Sequence, residues 1–162
     1  MTGIHGPLLA RLVDACQRHY GSRLVSLAVY GSVGRGTPRP DSDLDLLVVA
    51  HPLPDGRVAR SDEFCAVEDA LAGELRLLGE RGITCELSAV FKTPAEVGQG
   101  SLLFLDMIED ARLLVDRDAF LQHALSAFAG RLRALGARRI WCGNAWFWDL
   151  KPDFRPGEVF EL

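Results

Sequence analysis

Two short apolar runs, Leu24–Tyr30 and Leu44–Val49, flank a stretch that neither a long helix nor a strand can cross. It reads Gly31-Ser32-Val33-Gly34-Arg35-Gly36-Thr37-Pro38-Arg39-Pro40-Asp41-Ser42 and leads into Asp43-Leu44-Asp45 at the head of the second run. Both runs read as strands, the first closed by Gly31 and the second opened by the two acids. Glycine lets the backbone turn sharply after a strand, and Pro38 and Pro40 keep a long helix from starting there. Residues two apart on a strand project from one face. Asp43 and Asp45 are therefore expected on the same side, about 6–7 Å apart along the chain. Leu44, Leu46 and Val48 are expected on the opposite side, holding the strand in a core.

Two neighbouring like charges are unfavourable unless something cationic sits between them. A hard divalent cation suits such a pair, because Mg²⁺ binds through one or two carboxylates plus substrate phosphates. The Gly31-Ser32 corner offers the complementary half: backbone N–H groups and the Ser32 hydroxyl suit an anionic triphosphate. Arg35 and Arg39 are further candidate phosphate contacts, or else solvated loop arginines. A phosphate cradle beside paired carboxylates points to phosphoryl or nucleotidyl transfer. A third strand is expected over Ile83–Phe91, with Ile83, Cys85, Leu87 and Ala89 on one face and Thr84, Glu86 and Ser88 on the other. If the two strands are neighbours, Glu86 faces the acidic pair as a further metal ligand and general base. A Walker A loop is excluded, since Thr37 stands where its lysine should be, and the glycines are in the wrong order for GxGxxG.

Elsewhere, helical spacing predicts a helix over Pro7–Tyr20, a second through Phe64, Val67, Leu71, Leu75 and Leu78, and a last long one from Leu121 to Leu135. His51–Arg60 reads as a loop, Lys92-Thr93-Pro94 as the break that ends the third strand, Ser101–Glu109 as a short helix and Ala111–Val115 as a short apolar strand or turn. Six aromatics (Trp141, Trp146, Phe147, Trp148, Phe154, Phe160) crowd the tail, either completing the core or forming a surface for a partner or a second copy. With 48% hydrophobic and 25% charged residues, the 162-residue chain can bury a core as one α/β (α+β) domain over residues 1–162. A net charge of −4 argues against coating nucleic acid by bulk electrostatics. No apolar run approaches the roughly 18–20 residues that cross a bilayer. The first residues lack the basic flank and apolar stretch of a signal peptide, and the four cysteines form no CxxC. A cytoplasmic protein with reduced thiols and no membrane partner is expected.

The pattern Gly31-Ser32-x10-Asp43-x-Asp45, flanked by strands, resembles the signature of the DNA polymerase β-like nucleotidyltransferase superfamily. Over residues 24–90 the chain is similar to its small prokaryotic members, the minimal nucleotidyltransferases. The resemblance implies a mixed β-sheet flanked by helices, here with an additional C-terminal helix and aromatic tail over residues 117–162. It also implies two Mg²⁺ ions and ATP or another nucleoside triphosphate as donor. By position, Gly31 and Ser32 would bind the triphosphate, Asp43 and Asp45 both metals, and Glu86 would take the third carboxylate place. Some members of this size are antitoxins that attach AMP to a tyrosine of a HEPN-type toxin. A HEPN-like protein is accordingly the implied acceptor, rather than a nucleic acid. The alternatives are a non-catalytic antitoxin that masks its toxin by contact, and a small-molecule enzyme of the aminoglycoside type.

Overall fold

The computed structural model describes residues 5–143 and 145–160. Its centre is strand β2 (Leu44–Ala50), which is buried from Leu46 onward. Strand β1 (Leu24–Val29) runs antiparallel to it on one side, and β3 (Leu87–Lys92) runs parallel to it on the other. Strand β4 (Arg112–Asp116) pairs antiparallel with β1, giving a mixed sheet of order β3-β2-β1-β4. The parallel step needs a crossover, supplied by the long helix α3 (Arg57–Gly79).

Period-two alternation of β2 explains the layering. Leu44, Leu46 and Val48 pack against α1 (Gly6–Tyr20) and α3 through Leu8, Leu12, Phe64 and Leu71. Leu47 and Val49 face the opposite helices, α5 (Phe104–Asp110) and α6 (Phe120–Ala134), through Phe104, Met107, Leu121 and Phe128. Covered on both faces from Leu46 onward, β2 needs an apolar run there, which Leu46–Ala50 supplies. A polar clamp ties the second layer to the sheet. The fully buried Ser26 hydroxyl donates to Asp116 Oδ1 at 2.7 Å, and the same carboxylate accepts the N–H groups of Leu121 and Gln122 at the start of α6. Among the described residues no helix is long and apolar enough to cross a membrane.

Several expected boundaries move, each for a local reason. The loop after β2 ends early, because Gly56 at φ 85° turns the chain into α3 at Arg57 rather than after Arg60. The third strand pairs only from Leu87; upstream, Thr84 N–H donates instead to Pro40 C=O in the motif loop at 2.8 Å. The glycine-rich stretch contains a four-residue helix, α2 (Gly31–Gly34), where loop was expected. Lys92-Thr93-Pro94 ends the third strand as expected, with β3 stopping at Lys92, and Pro94 does one thing more. It opens α4 (Pro94–Gly98), since a missing N–H costs nothing in a first helical turn. The tail, unassigned by periodicity, forms a hairpin of β5 (Arg138–Cys142) and β6 (Ala145–Asp149).

Helix α4 is held by a reciprocal cap. Thr93 Oγ1 accepts from Glu96 N–H, while Glu96 Oε2 accepts from Thr93 N–H at 2.7 Å. Arg60 adds a two-pronged pair to the same carboxylate at 2.8 and 3.0 Å. Arg60 and the Thr93 N–H hold the Glu96 carboxyl down at about 2, below its ordinary 4.5. A carboxyl lowered by folding contributes stability above its ordinary value and loses it as pH falls through the folded one. Glu96→Gln should therefore cost about 1 kcal/mol at neutral pH. In denaturant titrations the gap to wild type should close toward pH 2.

Candidate active site

The chain leaves β1 at Tyr30, whose N–H donates to Asp45 C=O at 3.0 Å and so carries the pairing with β2 up to the motif. Gly31 then turns the backbone at φ 65°. Glycine is required there twice over: the conformation disfavours any side chain, and a Cβ would collide with Asp45 Oδ2. Gly34 is equally enclosed, since a Cβ would stand 2.5 Å from Asp110 C=O and 3.0 Å from Val29 C=O. The loop beyond folds back on itself. Thr37 N–H donates to Ser32 C=O at 2.9 Å, and Arg39 N–H to Ser42 Oγ at 2.9 Å.

Asp43 is exposed and sits one residue ahead of β2, while Asp45 is half-buried within it. The parallel register pairs Leu44 with Leu87 and Asp45 with Ser88, and Leu44 N–H donates to Glu86 C=O at 2.8 Å. Glu86 is thereby level with Asp43 at the start of the neighbouring strand, exposed, and of the same parity as both aspartates. The three do not close into a cage: among the described residues no group of three His, Cys, Asp or Glu side chains converges tightly enough to hold a metal alone.

Electrostatics single out Asp45. Burial raises its carboxyl above the ordinary 3.8, the charge of Asp43 raises it further, Arg35 pulls it down, and Asp106 adds to the rise. Burial also pushes the Tyr30 hydroxyl up to about 12, with Asp45 and Asp106 adding to it. Asp106, on α5, thus acts on the site, and nothing in the sequence pattern indicates it. Ser32 and Arg35 line an open cleft of about 650 Å³. Arg35 is already engaged, its Nη1 donating to Asp110 Oδ2 at 3.1 Å. A pair of acids, one pressed by burial and by its neighbour's charge, beside a glycine corner with no room for a side chain, fits a divalent cation shared with substrate phosphates.

A profile of the nucleotidyltransferase domain matches residues 9–101, more than half the chain. The chain belongs to the nucleotidyltransferase domain family. It is 28% identical over 120 residues to "Putative protein adenylyltransferase MJ1305" of Methanocaldococcus jannaschii, covering 73% of this chain and 76% of that one. Its fold is similar to that of a spectinomycin adenyltransferase from Enterococcus faecalis, solved with ATP and spectinomycin. That similarity has a TM-score of 0.50 at 11% identity and covers 78% of this chain and 66% of that one. A chain from a Shewanella oneidensis complex of a tri-AMPylated HEPN toxin with an MNT antitoxin matches with a TM-score of 0.43 at 13% identity, covering 79% and 89%. As a family member the protein is a nucleotidyltransferase, and its mixed sheet flanked by helices is the fold expected of one.

A carboxyl raised by folding makes the folded state the better proton binder, so stability falls as pH rises above the ordinary carboxyl value. Asp43→Asn removes one source of that rise. Without added divalent metal its melting temperature should exceed wild type by a few degrees at neutral pH. The gain should shrink as pH falls toward 3.8 and be gone below it. Equal melting curves at neutral pH would show that the two charges do not act on each other.

Proposed function

We infer that this nucleotidyltransferase moves AMP from ATP to a hydroxyl of a partner protein. The observation that carries this reading is the contact of Gly31 with Asp45, which puts the serine corner directly against the acidic pair. The family supplies the reaction class. The protein acceptor is favoured by the name of the Methanocaldococcus relative and by the sequence resemblance to antitoxins that modify HEPN-type toxins, so a HEPN-like protein is the proposed acceptor.

The proposed roles follow from position. The Ser32 hydroxyl donates to a phosphate oxygen at the mouth of the cleft it lines. Asp43 and Asp45 would hold Mg²⁺, which when bound neutralises charge on the triphosphate. Glu86, open to solvent and level with Asp43, accepts the proton of the incoming hydroxyl as it attacks the α-phosphorus and pyrophosphate leaves on the opposite side. Burial fixes Asp45, so its carboxylate holds position throughout. Arg35 acts at the rim, its charge acting on Asp45 while Asp110 anchors it.

ATP labelled at the α-phosphate, incubated with the purified product of a neighbouring gene, should transfer label to that protein. Asp45→Asn should abolish the transfer, and wild-type labelling by this variant would overturn the assignment. Ser32→Ala should weaken ATP binding by about 1.5–3 kcal/mol. Unchanged affinity by calorimetry would make Ser32 a turn residue only. Glu86→Gln should slow transfer while leaving ATP affinity near wild type, and equal rates would remove it from the proton-transfer step.

A further inference from the structure

The β5–β6 hairpin lies wholly outside the stretch that matches the nucleotidyltransferase family, yet it forms one wall of the cleft that holds Ser32. In the antiparallel ladder Arg139 faces Trp148 and Trp141 faces Trp146, so these four side chains share one face of the hairpin. Trp148 packs into the core beside α5 and α6 and anchors that face. Arg139 is only 10% exposed; it bonds Glu109 at 2.6 Å and Asp110 at 3.4 Å. Its guanidinium stands 4.0 Å from the centre of the Trp146 ring and 4.9 Å from that of Trp141. Arg35, from the motif loop, lies 4.7 Å from the Trp146 ring centre and shares the Asp110 carboxylate with Arg139. Trp146 is thus fixed between motif and hairpin by cation–π contacts.

Trp141 is different. It touches Trp146 at 5.3 Å between ring centres, tilted by 54°, and remains 60% exposed. Its ring borders the same cleft as Ser32, Arg35 and Arg39, and Arg39 makes no ion pair among the described residues. A hydroxyl and the Arg39 guanidinium, lining one cleft with an indole pair that Arg35 and Arg139 brace, match the two halves of a nucleotide: an anionic chain and a flat aromatic base. A volume of about 650 Å³ is ample for both.

We propose that the C-terminal hairpin is the base-binding wall of this cleft, with Trp141 stacking on the purine of the nucleoside triphosphate whose phosphates reach Ser32. This inference rests on the nucleotide-binding reading above and adds the origin of base preference. Trp146, Arg139 and Asp110 are positioning residues that hold the indole. Stacking strength grows with ring size, so the wall favours purine over pyrimidine nucleotides.

Calorimetry on the full chain with ATP, UTP and inorganic tripolyphosphate, each with Mg²⁺, tests the proposal. Wild type should bind ATP more tightly than UTP or tripolyphosphate. Trp141→Ala should lose about tenfold in ATP affinity, narrow the gap between ATP and UTP, and leave tripolyphosphate binding unchanged. Trp141→Phe should retain most of the preference, and it should lose the ATP-induced quench of indole fluorescence that wild type is expected to show. Equal affinity of wild type for ATP and tripolyphosphate would overturn the base wall and leave the phosphate corner standing. Failure of wild type to bind either compound would overturn both readings. A parallel loss of ATP and tripolyphosphate binding in Trp141→Ala would also overturn the proposal, because the indole would then serve only the shape of the hairpin.

Discussion

The Asp45 carboxylate occupies the space that any side chain on residue 31 would need, and the geometry of the motif is arranged around that exclusion. Neither partner can yield. Gly31 is fixed by the bond from Tyr30 N–H to Asp45 C=O, and Asp45 belongs to a strand whose neighbours Leu44 and Leu46 are fully buried. A half-buried acid beside a second one is unfavourable for folding, and the charge of Asp106 adds to the repulsion at Asp45. The two apolar layers that grip β2 offset that repulsion, so the core keeps the half-buried Asp45 in place beside the exposed Asp43.

How much of this can be read in the sequence depends on how local each signal is. The strands, the glycine corner and the alternation of Asp43 and Asp45 with Leu44 and Leu46 all lie within a short stretch whose period fixes the facing of every side chain. The same parity holds for Glu86 although no ladder reaches it, because Ile83 remains buried and Cys85 and Leu87 pack on the α1–α3 side. Boundaries slipped where a polar residue made an unexpected bond. Thr84 bonded to Pro40 rather than to a neighbouring strand, so the third strand starts late, whereas its expected end at Lys92-Thr93-Pro94 stands.

What the sequence hides are contacts between distant segments. Asp106 carries no pattern that ties it to Asp45, and Asp110 none that ties it to Arg35 and Arg139. The aromatic tail offered two readings, and packing answers only the one that puts rings in the core. Trp148 packs on the core while Trp141, Phe147 and Phe154 stay exposed. Alternation along β6 separates Trp148 from Phe147, but only after the hairpin register is known.

The bond from Ser26 to Asp116 spans 90 positions, and its consequence is kinetic. Strands β1 and β2 are close in sequence, so their pairing closes a short loop, whereas β4 and α6 can dock only once most of the chain is available. The acidic pair and its glycine corner therefore take shape on a half-built sheet whose second face, with Ala28, Leu47 and Val49, is still open to water. A chain in which Asp116 does not yet hold α6 over that face would present this apolar side beside the two acids Asp43 and Asp45.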